Sequence, residues 1–478
     1  MALAALAACA QVTNPATGER EFTSLSPADE RQLGASEHPK VLSQYGGAYD
    51  DPKINAYVEQ IGRKIQSVSE LSNMPFTFTV LDSPIVNAFA LPGGYVYVSR
   101  GLLALADNEA ELAGVLAHEV GHVTARHTAK RYDRATVAQI GALGATLAGG
   151  ILGGQSGAAL GQQLGGLGAT AYVNGYSQGQ ELEADRLGVR YLARAGYDSQ
   201  AMASFLDTMN VNERWMSRQS GGGQEVPSWL RTHPRTPERI STAAQAAKSE
   251  IGGDTLNHEA YLRAIDGLLY GDSPRQGFVR DGYFIHPDLG FRFAVPSGYR
   301  VQNTPKAVLQ VGPNKEIVQF DAARNPGGSL ANYIAQGWAR GAQFAALEDD
   351  VRIDGRPAAR GRTVVNVGNQ QRVADLLAID AGGGALYRFA FIYPGNVNPS
   401  SQQAFERIAN SFDLMSRAEA AAYPVSRVDI VTVRPGDTVA SLSRRMPVSG
   451  DKEGLFRVLN NLSGGATLQP GQNVKVIR

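Results

Sequence analysis

The chain has little cysteine, little histidine and no net charge, and these features limit the structures and functions that it can have. It has one cysteine in 478 residues, so an intramolecular disulfide is impossible. Lysine plus arginine and aspartate plus glutamate each number 45, which gives no electrostatic basis for binding nucleic acid. A chain of this length is too long for one ordinary domain, and roughly two to four domains are expected.

The single cysteine, Cys9, follows the short apolar run Leu6-Ala7-Ala8. Small residues before a cysteine are typical of a bacterial lipoprotein signal, which is cleaved before the cysteine so that the thiol carries lipid. The alternative is a chance cysteine in an apolar N-terminus, and no lysine or arginine precedes the run. We interpret residues 1–9 as a signal remnant, with a lipid on Cys9 that anchors the protein to a membrane.

Histidine is concentrated in one stretch, since three of the seven histidines lie in "LAHEVGHVTARH", residues 116–127. His118 and His122 are four apart, so on a helix both side chains aim at one ion, and Glu119 projects beside them. His-Glu-x-x-His is the zinc pattern of metalloproteases, in which the glutamate acts as general base. The alternative is two helix histidines without a metal.

Catalytic zinc needs a third protein ligand, and the sequence offers two candidates. His127 is five residues beyond His122 and turns off the shared face, so we interpret it as a solvated or packing histidine. Glu181 and Asp185 are four apart on a later predicted helix. Glu181 would complete a His₂Glu set, and Asp185 could accept the other ring N–H of a ligand histidine. From spacing alone, a solvated acidic face that includes Glu183 stays open.

The segments "AHEVGHVTARH" and "YSQGQELEADRLG" together resemble the M48 family of zinc metalloproteases, which includes periplasmic outer-membrane quality-control proteases of bacteria. The resemblance covers roughly residues 20–265 and implies one zinc ion per chain. It implies Glu181 as the third ligand and matches Asp185 to the family aspartate. It also assigns a site role to His233 of the "THP" segment, which either caps the zinc in a latent state or stabilises the oxyanion.

Two further segments bear on how a substrate is handled. A strand edge near Asn87, Ala88 and Phe89 could add an extended peptide through main-chain hydrogen bonds, so unfolded or extended proteins are the expected substrates. Residues 135–180 carry no charge and have a small residue at every fourth position. We predict a closely packed helical hairpin or a mobile flap that gates the site; a membrane span and a membrane-surface contact are the alternatives.

The predicted fold is multidomain. Residues 10–270 form a mainly α zincin-type metalloprotease domain with a small sheet. Residues 278–416 form an α+β domain that resembles the PsbP/Mog1 sandwich and to which we assign no chemistry. Residues 428–478 resemble a LysM module, a βααβ fold that binds N-acetylglucosamine-containing glycans such as peptidoglycan, although a degenerate copy that binds nothing is the alternative.

These expectations combine into a zinc endopeptidase that acts on misfolded or assembling cell-envelope proteins, anchored to the outer membrane and facing the bacterial periplasm. Two alternatives come from other classes of protein. The first is an envelope chaperone or scaffold with a latent metal site and a peptidoglycan-binding module. The second is a peptidoglycan-processing enzyme, which rests on the last domain alone.

Overall fold

The computed structural model describes most of the chain in ten segments. These are residues 10–23, 25–132, 175–219, 229, 232–234, 237–304, 307–367, 370–423, 425–448 and 450–478. Cys9 and residues 135–174 of the glycine-rich segment lie outside them, so the lipid anchor and the flap stay predictions. The described chain forms two compact units, one within residues 1–43, 47–271 and 426–478 and the other within 44–46 and 272–425.

The first unit begins with helices around a small sheet. Its strands up to residue 271 are β1 Ala10–Thr13, β2 Arg20–Thr23, β3 Thr77–Leu81, β4 Ala88–Leu91 and β5 Tyr95–Ser99. Its helices over the same range are α1 Pro27–Gln44, α2 Pro52–Ser67, α3 Arg100–Leu105, α4 Glu109–Thr124, α5 Gln178–Arg194, α6 Ala201–Gln219, α7 Pro237–Ser249 and α8 His258–Ile265. The three-stranded sheet has the order β3-β5-β4, with β3 parallel and β4 antiparallel to β5.

Local sequence signals account for these elements. Residues 51–70 have apolar side chains at a helical period, and they form α2 with these positions buried: Ile54, Val58, Ile61 and Ile65. The Pro-Gly-Gly turn between β4 and β5 takes positive φ at Gly93 and Gly94, a conformation that glycine adopts without a steric cost. Helix α4 is capped at its N-terminus by Asn108, whose side chain accepts the backbone N–H of Glu111 and so stabilises the first turn.

The second unit is rich in strands. Its strands are β6 Phe278–Arg280, β7 Tyr283–His286, β8 Phe291–Ala294, β9 Arg300–Asn303, β10 Val308–Val311, β11 Ile317–Arg324, β12 Phe344–Ile353, β13 Arg356–Val367, β14 Gln370–Gly382, β15 Ala385–Ile392 and β16 Asp413–Leu414. Its helices are α9 Leu330–Asn332, a π-helical turn Tyr333–Trp338, α10 Pro399–Asn410 and α11 Arg417–Ala421. Phenylalanines dominate its core, among them Phe291, Phe320 and Phe389.

The two sheets of this second unit are antiparallel throughout. The larger has the strand order β12-β13-β14-β15-β11-β10-β9, and the smaller has the order β16-β8-β7-β6. His286 is buried against Phe291 with ring centroids 5.2 Å apart, which is typical of a structural histidine. Burial lowers the pKa of His286, as expected of a packed neutral imidazole.

The last segment returns to the first unit as a βααβ fold, which confirms the predicted order of its elements. They are β17 Val428–Thr432, α12 Val439–Ser443, α13 Lys452–Leu459 and β18 Asn473–Ile477, with β17 and β18 paired antiparallel. Among the described residues, every helix of the protein is too short or too polar to cross a bilayer.

A buried lysine attaches this segment to the metal-binding part of the first unit. Lys475 of β18 is 1% exposed, and its Nζ lies 2.8 Å from the Ala106 carbonyl oxygen and 3.3 Å from those of Ala104 and Leu105. The ammonium group therefore satisfies the carbonyls at the C-terminal end of α3, where a cation is favoured. The junction lies directly before α4, the helix that carries the His-Glu-x-x-His motif.

Glu111, in the first turn of α4, is fully buried beside this lysine, and burial raises its pKa to about 7 from an ordinary value of 4.5. The fold therefore favours the protonated carboxyl, and that contribution to stability is complete below pH 4.5 and is lost as pH rises through about 7. We expect wild type to lose up to about 3 kcal/mol relative to Glu111→Gln over this range. Urea denaturation between pH 4.5 and 8 measures this difference in the free energy of unfolding. A difference that does not vary with pH would contradict the prediction.

Candidate metal centre

Two helices cross closely at glycines and bring the two halves of the site together. A Cβ at Gly188 of α5 would lie 3.2 Å from the His118 backbone nitrogen, and a Cβ at Gly121 of α4 would lie 3.2 Å from the Ala184 carbonyl oxygen. Side chains at these positions would force the helices apart. The close approach places Glu181, at the N-terminal end of α5, opposite the histidines of α4.

Four buried side chains converge on one point: His118, His122, Glu181 and His233. His118 Nε2 lies 3.0 Å from His122 Nε2 and 3.6 Å from Glu181 Oε2, and His122 Nε2 lies 3.5 Å from Glu181 Oε1. His233 Nδ1 lies 3.1 Å from His118 Nε2 and 3.0 Å from Glu181 Oε1. The structure thus brings together the three predicted ligands and adds His233 as a fourth donor.

These distances fit zinc. Tetrahedral ligands at about 2.0–2.1 Å from a zinc ion lie about 3.3 Å from one another, and the measured separations fall on both sides of that value. The donor types, three imidazoles and one carboxylate, are those that zinc prefers. Glu119 lies beside this set and is fully buried, yet neither of its carboxylate oxygens has a hydrogen-bond partner among the described residues. His233 Nε2 lies 3.4 Å from Glu119 Oε1.

A second layer of contacts holds the donors. His118 Nδ1 lies 2.9 Å from Asp185 Oδ1, the arrangement expected when a carboxylate fixes the tautomer of a ligand histidine. Arg239 of α7, fully buried, donates to both oxygens of Asp185 at 2.7 Å and lies 2.7 Å from Glu181 Oε2. One guanidinium therefore orients two carboxylates of α5.

Burial and charge act in opposite directions on the pKa values of these groups. Burial raises the pKa of Glu181, but His233 and Arg239 outweigh it and hold that pKa well below its usual value. Burial likewise raises the pKa of Asp185, and Arg239 more than offsets it. Burial holds the pKa of His122 well below its usual value, so this imidazole is neutral, as a metal ligand must be.

His127 is not solvated, so that part of our interpretation of this histidine was wrong. It is fully buried, its Nδ1 lies 3.0 Å from His122 Nδ1, and its Nε2 lies 3.1 Å from Glu183 Oε2. The chain continues past α4 through Arg126, which has a positive φ and turns His127 back toward the cluster. His127 therefore contacts Nδ1 of His122 as Asp185 contacts Nδ1 of His118, and each contact orients a histidine of α4.

Trp229, fully buried, lies beside His233. Its indole stacks on the His233 ring at 5.0 Å between centroids, and its backbone N–H donates to the Val86 carbonyl. On the other side, Tyr176 stacks on His122 at 3.8 Å, and its N–H donates to the Thr232 carbonyl. These packing contacts hold His233 over the three donors of α4 and α5.

The predicted substrate-binding residues lie at the start of β4, an edge strand of its sheet among the described strands. Asn87 exchanges hydrogen bonds with Ser99, and Phe89 pairs with Tyr97 of β5. In an antiparallel ladder the alternate residues turn their N–H and C=O groups away from the partner strand. The outward main-chain groups therefore belong to Ala88 and Ala90.

A His-Glu-x-x-His helix whose histidines meet a glutamate of a second helix defines the His₂Glu class of zinc peptidases. Comparisons with known proteins identify two domains of the chain. Residues 52–247 match peptidase family M48, and residues 431–476 match the LysM domain. The chain thus carries an M48 metallopeptidase domain, whose metal is zinc, and a LysM domain.

Curated relatives agree with this assignment. The chain is 34% identical over 230 residues to the "Beta-barrel assembly-enhancing protease" of Yersinia pestis, a match that covers 46% of this chain and 44% of that protein. It is 33% identical over 240 residues to the protein of the same name in Escherichia coli K12, covering 49% and 47% respectively. It is 30% identical over 232 residues to "Mitochondrial metalloendopeptidase OMA1" of Schizosaccharomyces pombe, covering 47% and 63%. The chain therefore spans about half the length of its bacterial relatives.

Solved structures add little on the second unit. Cyanobacterial PsbP from Synechocystis aligns with 27% of this chain and 88% of its own, at 16% identity and a TM-score of 0.21. A likeness of this size carries no argument, and the PsbP/Mog1-like assignment stays a prediction.

Proposed function

We propose that the chain is a zinc endopeptidase of the bacterial cell envelope that hydrolyses misfolded or assembling envelope proteins. The observation that carries the proposal is the buried cluster of four donors with the unpartnered Glu119 carboxylate beside it. The test is cleavage of unfolded casein by the zinc-loaded chain, with zinc content measured in parallel. Absence of zinc-dependent cleavage under any condition that exposes the site would sink the proposal.

His118, His122 and Glu181 are the zinc ligands in this proposal, and Asp185 orients His118. A bound zinc supplies Lewis acidity, which polarises the scissile carbonyl and acidifies water. Glu119 is the general base: its free oxygens accept a proton from water and pass it to the leaving amine. The buried position of Glu119 keeps it within reach of the cluster and away from competing hydrogen bonds.

His233 is the residue that sets the resting state. A catalytic zinc site keeps one position open, whereas this cluster has four protein donors and is closed. Of the two roles left open from sequence, the distances favour the cap, since His233 Nδ1 occupies the fourth corner. The protein in this conformation is latent, and substrate access requires His233 to move aside.

We therefore expect His233→Ala to raise casein cleavage about tenfold over wild type at equal zinc content, because the fourth position opens without a conformational step. His258→Ala, at a part-exposed histidine of the same unit that hydrogen-bonds the Asp107 carbonyl, is the control and should match wild type. A loss of about 10²-fold or more in His233→Ala would instead assign His233 to the oxyanion.

In this proposal the outer edge of β4 receives the substrate when the site opens, since Ala88 and Ala90 are buried in the latent conformation. The outward N–H and C=O groups of Ala88 and Ala90 bind an extended peptide by main-chain hydrogen bonds, which gives little side-chain selectivity. Asn87 and Phe89 contribute to the walls of the cleft rather than to that ladder. Cleavage sites in casein mapped by mass spectrometry should show weak residue preferences, and a single dominant recognition sequence would contradict this.

The cellular setting comes from the relatives and the LysM domain. Two relatives are named as enhancing β-barrel assembly, which supports envelope proteins as substrates and the periplasm as location. We propose that the LysM domain, residues 428–478, binds peptidoglycan and that lipid on Cys9 holds the protein at the outer membrane. Co-sedimentation with purified peptidoglycan and mass spectrometry of the mature N-terminus test these two points.

A chaperone or scaffold with a latent metal site is the second candidate, and the closed set of four donors favours it. The two functions differ in one measurement. A chaperone would suppress aggregation of an unfolded protein equally well in wild type and Glu119→Gln, with no cleavage in His233→Ala. A peptidase would cleave in His233→Ala and lose that cleavage when Glu119 is also replaced.

A further inference from the structure

A second pocket lies in the first unit, away from the metal cluster, where the LysM domain meets the peptidase domain. It has a volume of about 130 Å³. Its floor is formed by buried residues of both domains: Arg100, Ala104, Leu105, Leu455, Val458 and Leu459. Its rim is formed by partly exposed residues, among them Pro84, Val86, Trp215 and Tyr270. The pocket is thus apolar in its depth and accessible at one side.

Among the described residues that line this pocket, Arg100 alone is charged. It is 1% exposed, and its Nε donates to Asp82 while its Nη1 donates to the carbonyls of Leu269 and Gly271. Its Nη2 has no hydrogen-bond partner among the described residues. A buried guanidinium nitrogen without an acceptor is costly, and it therefore points to an acceptor that binds in the pocket.

The pocket lining contains a second donor. The indole Nε1 of Trp215, which also lines the pocket, is buried and has no hydrogen-bond partner among the described residues. Arg100 and Trp215 thus offer free N–H groups, and the remaining walls are mainly aliphatic. A ligand that suits this surface carries several acceptor lone pairs at one end and an aliphatic group at the other.

We propose that this pocket binds a small aliphatic carboxylate. Asp82 already pairs with the Arg100 charge, but a carboxylate has two acceptor oxygens, one for each donor, and its bond to the guanidinium is charge-assisted, whereas an amide or alcohol has one acceptor oxygen. An apolar cavity of about 150 Å³ holds benzene, so a pocket of this size takes roughly six heavy atoms, as in isobutyrate. The carboxylate is either a free branched short-chain acid or the C-terminal residue of a polypeptide that ends in valine or leucine.

Titration of the full chain with isobutyrate, followed by NMR or calorimetry, tests the proposal. We expect saturable binding that weakens about tenfold in Trp215→Phe, which keeps the ring and removes the N–H. Leu459→Phe, which fills the floor while leaving both donors, should abolish binding. Trp338→Phe, in the second unit, is the matched control and should bind as wild type does. Arg100→Lys, which retains the charge beside Asp82, should also weaken binding.

Competition identifies the source of the carboxylate. In the Glu119→Gln background, which avoids hydrolysis, a pentapeptide ending in leucine with a free carboxylate should displace isobutyrate if the ligand is a chain terminus. No displacement leaves the free acid as the source. The proposal is overturned if isobutyramide binds as tightly as isobutyrate, if Leu459→Phe binds unchanged, or if wild type shows no saturable binding. None of these outcomes depends on the peptidase activity.

Discussion

Glu119→Gln is expected to lower casein cleavage by a factor on the order of 10²–10⁴ while zinc content stays unchanged. The carboxylate is fully buried and has no hydrogen-bond partner among the described residues, so its replacement by an amide of the same shape leaves the packing intact. What is lost is the ability to accept a proton. The measurement is cleavage rate and zinc per chain, in the wild-type and His233→Ala backgrounds.

Glu183→Gln is the matched control, because Glu183 is a second glutamate near the cluster but contacts His127 rather than the four donors. Its replacement should change the cleavage rate little. Retained proteolysis in Glu119→Gln would remove this residue from the role of base. Loss of zinc in the same variant would instead make Glu119 part of the binding set.

The parts of the site that the sequence predicted are those with local spacing. His118 and His122 follow from the i, i+4 relation within α4, and Glu181 and Asp185 follow from the same relation within α5. The contact between α4 and α5 joins segments that are far apart in the sequence, so residue spacing cannot predict it. The family resemblance indicated that the two helices meet, and the close contacts at Gly121 and Gly188 explain how they do so.

Other parts of the site had no signal in the sequence. Arg239 orients Glu181 and Asp185, but in "RTPERI" it reads as an ordinary arginine at the start of a helix, because its partners lie more than 50 residues away. Trp229 lies even further along the chain from its partner Val86. The prediction of a solvated His127 was wrong because it assumed that α4 continues past Ala125. The helix ends there, and Arg126 turns the chain.

The same distinction holds for the fold. Helix α2 and the βααβ order of the LysM domain follow from periodicity and turn residues. The attachment of the LysM domain to the peptidase domain does not follow from the sequence. Lys475 lies in "NVKVI", where the alternation of a strand predicts that its side chain is exposed on one face. The face is instead covered by the end of α3, and the structure groups residues 426–478 with the peptidase domain in one compact unit.

Lys475→Met tests whether the LysM domain is part of the fold that supports the metal helix. The substitution keeps an unbranched side chain but removes the ammonium group, leaving the carbonyls of Ala104, Leu105 and Ala106 buried without this donor. We expect a loss of about 3 kcal/mol in the free energy of unfolding. The loss should extend to α4, because α3 and α4 are separated only by residues 106–108.

Lys452→Met is the matched control. Lys452 also donates to helix-terminal carbonyls, at 2.7 Å to Met446, but it is partly exposed and its contacts stay within the LysM domain. We expect it to cost under about 1 kcal/mol and to leave hydrogen exchange in α4 unchanged, whereas Lys475→Met should accelerate exchange there. Equal effects of the two substitutions, or faster exchange confined to residues 428–478, would mean that the LysM domain is carried by the peptidase domain without stabilising its metal helix.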